Sequence, residues 1–360
     1  MPFRVLSIDG GGMRGIYSAT VLSALEKSFK EKRNIPEGLD IGKAFQLIVG
    51  TSTGAIIGCG LAHGVPPETM ADLYVKNGAA IFPLKMPTSP WQVWQQRKTR
   101  SESLEAGDVA LAAALKEVFG STTVLDIWKS RGIALVIPSV NMLNYRSWVF
   151  KTPHELKSDH RDDGYTLVDV CRASSAAPLY RSLAAIPKPS DPSCSDVFCD
   201  GGLWANNPVL VALTEALKMV GNQDDEIEIF CLGSCGKPEG TVIAAKEVNR
   251  GLFEWKFGGE AAVVSLAAQE FAFDMMAKFL IPHLNKKVRI VRFPTETIPA
   301  AIIKYLNLDE TSEEGLRALK QQANNDANMI NSHIRDGNER GSMIENLFID
   351  MPARSIAKGE

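Results

Sequence analysis

Three glycine-rich segments contain residues that could together hydrolyse an ester. In the first, Ser52 lies in the middle of Gly50-Thr51-Ser52-Thr53-Gly54, after an apolar run and before a run of small apolar residues. A serine at a sharp strand-to-helix turn exposes its hydroxyl, and flanking glycines avoid steric clashes across the turn. We therefore predict that Ser52 is a nucleophile supported by Gly50 and Gly54; the alternative is a tight turn without catalytic function.

The second segment is DGGGMRG, residues 9–15, which follows a strand-like run and precedes a helical spacing of apolar residues. Consecutive glycines at a helix N-terminus leave backbone N–H groups that attract anions. These groups could bind a phosphate, or they could stabilise the negative charge of an ester transition state. We predict that the N–H groups of Gly11, Gly12 and Met13 form an oxyanion hole.

The other residues of this segment have predicted supporting roles. Gly10 and Gly15 complete the glycine pattern. Asp9 is expected to shape its own turn, because short acidic side chains bond to nearby backbone N–H groups. Two readings of Arg14 stay open, contact with a lipid phosphate or a place at the start of the helix.

The third segment is Asp200-Gly201-Gly202, which follows another apolar run. Its glycines leave the carboxylate free to reach into a cleft. An aspartate with an ordinary pKa of about 3.9 is a weak base for a serine hydroxyl, and burial would raise that pKa. We predict that Asp200 is the general base for Ser52; the alternative is that it caps the helix that follows.

Together these segments resemble the patatin-like phospholipase family. Ala173-Ser174-Ser175-Ala176-Ala177-Pro178 is similar to the family's A-[ST]-S-A-A-P segment, and residues 200–208 are similar to its D-G-G-x-x-x-N-N-P segment. The resemblance covers residues 3–235 and implies an α/β fold, a three-layer α/β/α sandwich with a mostly parallel central sheet. It also implies lipid acyl hydrolysis by a Ser–Asp dyad that needs no metal or cofactor for its chemistry.

Residues 236–360 lie beyond these motifs, and we expect a helical extension that packs on the catalytic domain and could regulate it. The opening and length of the chain resemble the patatin-like effectors of bacterial anti-phage signalling, which cyclic oligonucleotides activate. That resemblance implies a cyclic dinucleotide activator and the cell's own membrane phospholipid as substrate. Residues that could contact a nucleotide by charge or stacking, or could simply be surface and core residues, are Arg289, Arg292, Phe253, Trp255 and Phe257.

A dinucleotide-binding fold shares part of this pattern. Gly10, Gly12 and Gly15 match G-x-G-x-x-G after a strand. That fold needs an acidic residue at the end of the next strand, about 20 residues on. Here the next apolar run leads into the Ser52 turn, which argues against a dinucleotide site.

An α/β-hydrolase with a Ser, Asp, His order is the second alternative. Only His283 and His333 follow Asp200, and neither lies in a glycine-rich loop at a strand end. The sequence therefore favours a dyad over a triad.

Two further alternatives concern function. They are a constitutive lipase of lipid metabolism and a catalytically silent storage or binding protein with the same fold.

The composition limits the class of protein. The 360 residues are 45% hydrophobic, and the net charge of −3 implies no bulk attraction to nucleic acid. Six cysteines without zinc-site spacing fit a reduced, cytoplasmic chain, although Cys194 and Cys199 could pair. We find neither a signal peptide nor a run of about 20 apolar residues that would span a membrane. We therefore expect a protein that visits the inner face of the membrane transiently, with an oligomer possible.

Residues 81–94 are the candidate surface for such a visit. They are rich in proline and large apolar groups, including Trp91 and Trp94, and Arg97, Lys98 and Arg100 follow. Tryptophan and basic residues beside an apolar segment suit the headgroup boundary of a bilayer. Residues 81–100 are therefore a candidate lid or membrane-contact loop, and the alternative, a long loop packed on the domain, stays open.

Periodicity predicts several further elements. Buried strands are expected at residues 133–137 and 228–233, and a strand with one polar face at 288–293. Residues 246–280 are predicted to be mostly helical with a break at Gly258-Gly259, and residues 312–334 to form a helix capped by Ser312 or Thr311.

Overall fold

The architecture comes from a computed structural model that describes residues 2–87, 89–221, 226–236, 243–255, 258–295 and 297–355. Eight strands form one sheet: β1 (Phe3–Ile8), β2 (Leu47–Gly50), β3 (Ala134–Asn141), β4 (Arg146–Lys151), β5 (Ala184–Lys188), β6 (Asp191–Asp200), β7 (Ile227–Leu232) and β8 (Val288–Arg292). The predicted strands at 133–137, 228–233 and 288–293 are confirmed as β3, β7 and β8.

The centre of the sheet is parallel. β3, β2, β1, β7 and β8 lie side by side in that order with parallel pairing, and β4, β6 and β5 add antiparallel pairs at the β3 side. Parallel strands place their carboxyl ends at one edge of the sheet, where α/β proteins bind ligands. The glycine-rich segments after β1 and β2 therefore lie next to each other.

The helices that surround the sheet are α1 (Gly15–Arg33), α2 (Thr53–His63), α3 (Pro67–Ile81), α4 (Pro90–Gln96), α5 (Arg100–Phe119), α6 (Val124–Arg131), α7 (Leu167–Ser174), α8 (Gly202–Ala205), α9 (Val209–Val220), α10 (Gly259–Leu280), α11 (Glu313–Arg335) and α12 (Glu339–Asp350). None of those described is long and apolar enough to cross a bilayer.

Alternate side chains of the central strands pack on two separate cores. In β1, Leu6 and Ile8 face one core, with residues of α1, α2 and α11, whereas Val5 faces the other, with residues of α9 and α10. A strand with both faces buried reads as an apolar run, because successive side chains point to opposite faces. The result is a three-layer α/β/α arrangement with a mostly parallel central sheet, as predicted.

The chain beyond residue 235 is integrated with the rest. β8 pairs with β7, so the proposed domain boundary falls between two neighbouring strands of one sheet. α11 packs along α1, and the Tyr17 hydroxyl donates a 2.5 Å hydrogen bond to Asp326. Ser312 caps α11 as predicted, its hydroxyl accepting the Gly315 N–H at 3.1 Å.

The break predicted at Gly258-Gly259 is confirmed, but most of residues 246–255 before it are not helical. α10 begins only at Gly259, because Gly258 adopts a φ of +91°, which a right-handed helix does not allow. Of the aromatic residues proposed to contact a nucleotide, Phe257 lies outside the described residues.

Candidate active site

Ser52 occupies a sharp turn between β2 and α2. Its φ is +56° and its ψ is −120°, a conformation that a residue with a Cβ adopts only when its surroundings impose it. The Thr51 hydroxyl donates to the Ala205 carbonyl at 2.6 Å, which fixes the turn from one side. The strand, strained serine and helix match the arrangement expected for an exposed nucleophile.

The two glycines of this turn are required by close backbone packing. A Cβ on Gly50 would lie 2.2 Å from the Gly54 carbonyl oxygen, and a Cβ on Gly54 would lie 2.3 Å from the Ile8 carbonyl oxygen. Both distances are far below van der Waals contact, and the obstructing atoms belong to the backbone. Gly50 therefore lets the end of β2 pack against the first turn of α2, and Gly54 lets that turn approach β1.

We expect Gly54→Ala to lower the free energy of unfolding by about 2–4 kcal/mol, because the added methyl group forces β1 and α2 apart. Urea denaturation followed by circular dichroism measures this change. Gly132→Ala is the control, since its Cβ meets no atom within 4 Å, although its φ of +64° carries a small cost of its own. Equal stability of Gly54→Ala and wild type would contradict the packing argument.

The Asp200 carboxylate contacts the Ser52 hydroxyl directly. Asp200 is the last residue of β6, and its Oδ2 accepts the Ser52 Oγ–H at 2.8 Å although 148 residues separate the two. Its Oδ1 accepts the Gly202 N–H at 2.6 Å. Gly201 lets the turn approach β3, because a Cβ there would lie 2.2 Å from the Pro138 carbonyl oxygen.

Burial makes Asp200 a stronger base than a solvent-exposed aspartate. Loss of hydration raises its pKa from 3.8 to about 6, while the hydrogen bonds from Gly202 and Ser52 and the positive charge of Arg181 oppose that rise. A base with this pKa is ionised near neutral pH and accepts a proton more readily than an ordinary carboxylate. The Asp200 carboxylate thus accepts one hydrogen bond from the Ser52 hydroxyl and another from the first N–H of α8. The contacts expected for a general base and for a helix cap are both present.

Ser174 positions the turn in a way that the sequence did not reveal. Its hydroxyl accepts the Ser52 N–H at 2.9 Å and donates to the Pro138 carbonyl at 2.7 Å. The side chain therefore ties the nucleophile to β3. Its place in the segment 173–178 was visible in the sequence, but this pairing was not.

Among the described residues, the DGGGMRG loop leaves two of its backbone N–H groups without an acceptor and bonds the other five. Gly10 N–H donates to the Asn206 carbonyl at 2.8 Å, and Met13 N–H donates to the Leu308 carbonyl at 2.8 Å. Within the residues that the structure describes, the N–H groups of Gly11 and Gly12 have no acceptor. The prediction for Met13 therefore needs correction in this state, since its N–H is bonded to a carbonyl from the C-terminal part of the chain.

Asp9 differs from the prediction made for it, whereas Arg14 lies at the start of α1, which is one of its two predicted places. Asp9 does not shape its own turn; its Oδ2 accepts Arg292 Nη1 from the end of β8 at 2.6 Å. Arg14 is buried, and it donates to the carbonyls of Gly11 at 3.2 Å and Cys235 at 3.3 Å. Both side chains thus brace the glycine loop against the neighbouring strands.

A cavity of about 190 Å³ opens onto Ser52 and Asp200. Its polar end includes Gly11, Gly12, Arg14 and Arg181. Its apolar wall includes Leu73, Ile81, Phe82, Leu111, Leu203, Ala262, Val263, Leu266, Leu306 and Leu308. A largely apolar pocket that leads to a few polar groups suits the acyl chain of a lipid ester.

Part of this wall comes from segments that carried no motif. α10 contributes Leu266, and residues 306–308 cross the pocket beside the glycine loop. α10 also holds the segment after Asp200: the Gln269 side chain accepts the Asn206 N–H at 2.8 Å and donates to the Trp204 carbonyl at 2.9 Å.

No histidine lines the pocket among the described residues. His154 bonds to Thr152 and Glu215, and His333 bonds to Asn338. His283 lies in the short helical turn after α10. The geometry therefore matches a dyad, and the histidines have other surroundings.

The predicted loop at 81–100 contains helix α4. Trp91 and Trp94 are 62% and 53% exposed and stack on each other with ring centroids 5.1 Å apart. The Arg97 guanidinium lies 4.6 Å from the Trp94 ring centroid. Arg100 turns inward and donates to the Leu179 carbonyl.

The six cysteines are free thiols, so Cys194 and Cys199 do not pair.

Comparisons with known proteins identify the family of this chain. The profile of the family described as patatin-like phospholipase matches residues 6–213, which include every residue of the proposed dyad and glycine loop. The chain is 29% identical to a cGAMP-activated phospholipase of Vibrio cholerae serotype O1, over 88% of this chain and 88% of that protein. It is 33% identical to a cGAMP-activated phospholipase of Pseudomonas aeruginosa, over 77% and 74%.

A plant protein is also similar. Patatin-like protein 1 of Oryza sativa subsp. indica is 27% identical over 88% of this chain and 78% of its own length. The family match covers more than half of the chain and contains the strained serine, the aspartate and the glycine loop. The chain therefore belongs to the patatin-like phospholipase family, a family of serine lipid acyl hydrolases.

Proposed function

We propose that the protein hydrolyses the acyl esters of membrane phospholipids with Ser52 as nucleophile and Asp200 as general base. The observation that supports this most directly is the 2.8 Å hydrogen bond between Ser52 Oγ and Asp200 Oδ2 at the end of an apolar cavity. The free N–H groups of Gly11 and Gly12 are the proposed oxyanion donors. Each such donor typically contributes about 10²–10³-fold to the rate.

The proposed reaction has two steps. Ser52 Oγ attacks the ester carbonyl as its proton passes to Asp200, and that proton then goes to the departing lysolipid alcohol. The fatty acid remains as an ester of Ser52. Asp200 next accepts a proton from water, the resulting hydroxide attacks the acyl carbonyl, and the proton returns to Ser52 as the free fatty acid leaves.

We further propose that a cyclic dinucleotide activates the enzyme at the inner face of the membrane in anti-phage defence. The names of two relatives, each a cGAMP-activated phospholipase, support this activator. The alternatives are a constitutive lipase and a catalytically silent binding protein with the same fold.

Arg289 and Arg292 are weaker candidates for nucleotide contact than the sequence suggested, because other side chains already bind them. Arg289 forms an ion pair with Glu228, and Arg292 forms ion pairs with Asp9 and Asp274.

A strap from the C-terminal part of the chain, residues 306–310, offers a physical route for such regulation. The Leu308 carbonyl accepts the Met13 N–H and lies 2.4 Å from the position of a Cβ on Gly12. The buried Asp309 carboxylate accepts a hydrogen bond from the Met86 N–H at 2.6 Å. The Glu310 carboxylate accepts a hydrogen bond from Lys85 Nζ at 2.9 Å. A ligand that shifts the strap would therefore change both the glycine loop and the pocket rim.

The decisive experiment measures fatty-acid release from phospholipid vesicles by the full chain, with and without a panel of cyclic di- and trinucleotides. Ser52→Ala is measured beside it. Activity that depends on one nucleotide and is lost in the variant supports the whole proposal. Equal activity without nucleotide would overturn the switch and favour a constitutive lipase, and no activity under any condition would favour the silent fold.

We expect Asp309→Ala/Glu310→Ala to raise activity without nucleotide several-fold, because a loosened strap releases the glycine loop from a restrained state. The maximal activity with nucleotide should change little. Hydrolysis of a short-chain ester that needs no vesicle measures this effect. A fall in activity would show instead that the strap supports the active arrangement of the loop.

A further inference from the structure

Exposed apolar side chains lie at the mouth of the catalytic pocket and on two helices, α10 and α4. Leu203 of α8 and Val263 of α10 line the cavity, yet they are 46% and 36% exposed. Val264 and Phe271 of α10, 52% and 72% exposed, continue this surface outward. Trp91 and Trp94 of α4 complete the set, which we name the apolar rim.

α10 has an unusual distribution of apolar residues. Its second half packs on the sheet through Phe273 and Ala277, as expected for a surface helix. Its first half lines the pocket with Ala262 and Leu266 and also presents Val264 to solvent. A helix that is apolar on several sides is normally covered by something. Contiguous exposed apolar surface likewise marks a contact site.

The segment before α4 contacts the first residue of α10. A Cβ on Gly259 would lie 3.2 Å from the Met86 methyl group, and α4 begins four residues after Met86. The stacked tryptophans of α4, with Arg97 directly after the helix, have the chemistry of a headgroup boundary. The segment that leads into α4 thus contacts the start of α10, and Ile81 and Phe82 at the beginning of that segment line the pocket.

We propose that the apolar rim inserts into the surface of a phospholipid bilayer and holds the pocket mouth against it. The inference rests on the proposed function, because a lipid acyl chain must pass from the bilayer through this mouth to reach Ser52. A second copy of the chain seated on the rim would close that path. The bilayer is therefore the occupant that the geometry favours.

The contact is mainly apolar. Between Gly259 and Ala277, α10 contains no lysine or arginine, and the whole chain has a net charge of −3. Burial of apolar side chains depends little on salt, unlike attraction between charged groups. Binding should therefore persist on phosphatidylcholine vesicles and at high salt.

Vesicle flotation of the full chain tests the proposal. It is performed in a Ser52→Ala background, with phosphatidylcholine vesicles and in the presence and absence of a cyclic dinucleotide. We expect Val264→Ser/Phe271→Ser, and separately Trp91→Ser/Trp94→Ser, to lower the bound fraction at least about tenfold, because each pair removes large apolar groups from the contact. Use of the Ser52→Ala background separates binding from catalysis, so that failure of the proposed chemistry does not affect this result.

The matched control removes exposed apolar groups from the opposite end of the sheet. Leu156 follows β4 where that strand pairs with the start of β3, and Ile349 precedes Asp350, which bonds to Arg4 at the start of β1. Leu156→Ser/Ile349→Ser should bind vesicles as the parent does. Each rim variant with Ser52 restored should still hydrolyse a short-chain ester that needs no vesicle.

Three outcomes would overturn the proposal. The first is a parent chain that fails to bind vesicles under either condition. The second is an equal loss of binding in the rim variants and the control. The third is a rim variant that keeps full vesicle binding but halves the mass of the particle in solution, which would assign the surface to a second copy.

Discussion

Ser52→Ala is expected to lower the rate of ester hydrolysis by roughly 10⁴-fold or more, without unfolding the protein. The Ser52 Oγ is the proposed site of the covalent acyl intermediate, and no other hydroxyl bonds to Asp200 among the described residues. Removal of the nucleophile leaves only substrate binding and the oxyanion donors, which give little turnover by themselves. A pH-stat assay of fatty-acid release measures the effect.

The matched control for this variant is Ser130→Ala, on α6 and far in sequence from every motif. Among the described residues, its hydroxyl bonds to the Asp126 carbonyl in its own helix and to no other group. It should keep the activity of the wild type. Mass spectrometry provides a second readout, since an acyl-enzyme should accumulate on the wild type during turnover and be absent from Ser52→Ala. Full activity of Ser52→Ala would contradict the proposed mechanism.

Asp200→Asn is expected to lower activity by about 10³-fold or more, because the amide keeps the shape of the side chain but cannot accept the serine proton. In the wild type the pKa of about 6 sets the pH profile. Only ionised Asp200 acts as a base, so activity should rise tenfold per pH unit below about 6 and level off above it. A midpoint near 4 would indicate an ordinary, solvent-exposed carboxylate and would contradict the role of burial.

The same substitution should stabilise the fold at neutral pH. The pKa of Asp200 is higher in the folded state than in the unfolded state, so the folded state binds this proton more tightly. Its contribution to stability is present below about pH 4 and is lost as pH rises through about 6. We expect Asp200→Asn to exceed the wild type by about 1–3 kcal/mol in free energy of unfolding at pH 7.5, and to match it near pH 4. Urea denaturation at both pH values measures this difference.

The catalytic candidates could be predicted because their signals are local. A serine between two glycines after an apolar run specifies a turn whose geometry needs no distant partner. The family order of four short segments then indicated a nucleophile, a base and a glycine loop. The strands β3, β7 and β8 and the cap of α11 were predictable for the same reason, since burial pattern and capping depend on neighbouring residues.

The predictions for Asp9 and Met13 were wrong because a residue distant in sequence binds the Asp9 carboxylate and another binds the Met13 N–H. Asp9 was expected to bond within its own turn, but the register of β8 brings Arg292 to its carboxylate. Met13 N–H was expected to face the substrate, but the Leu308 carbonyl accepts it. Every residue other than proline has the same backbone N–H and C=O groups. The sequence therefore does not indicate which of these groups form a long-range hydrogen bond.

The sequence by itself indicated which residues could perform ester hydrolysis, and its family resemblance implied a mostly parallel central sheet. The tertiary structure alone decided the 2.8 Å distance between Ser52 and Asp200, the burial that raises the Asp200 pKa, and the walls supplied by α10 and residues 306–308. The physical reason is the separation along the chain of the residues that make each contact. Turns, caps and strand burial follow from neighbouring residues, whereas the distance, hydration and covering of a site depend on contacts between parts of the chain more than a hundred residues apart.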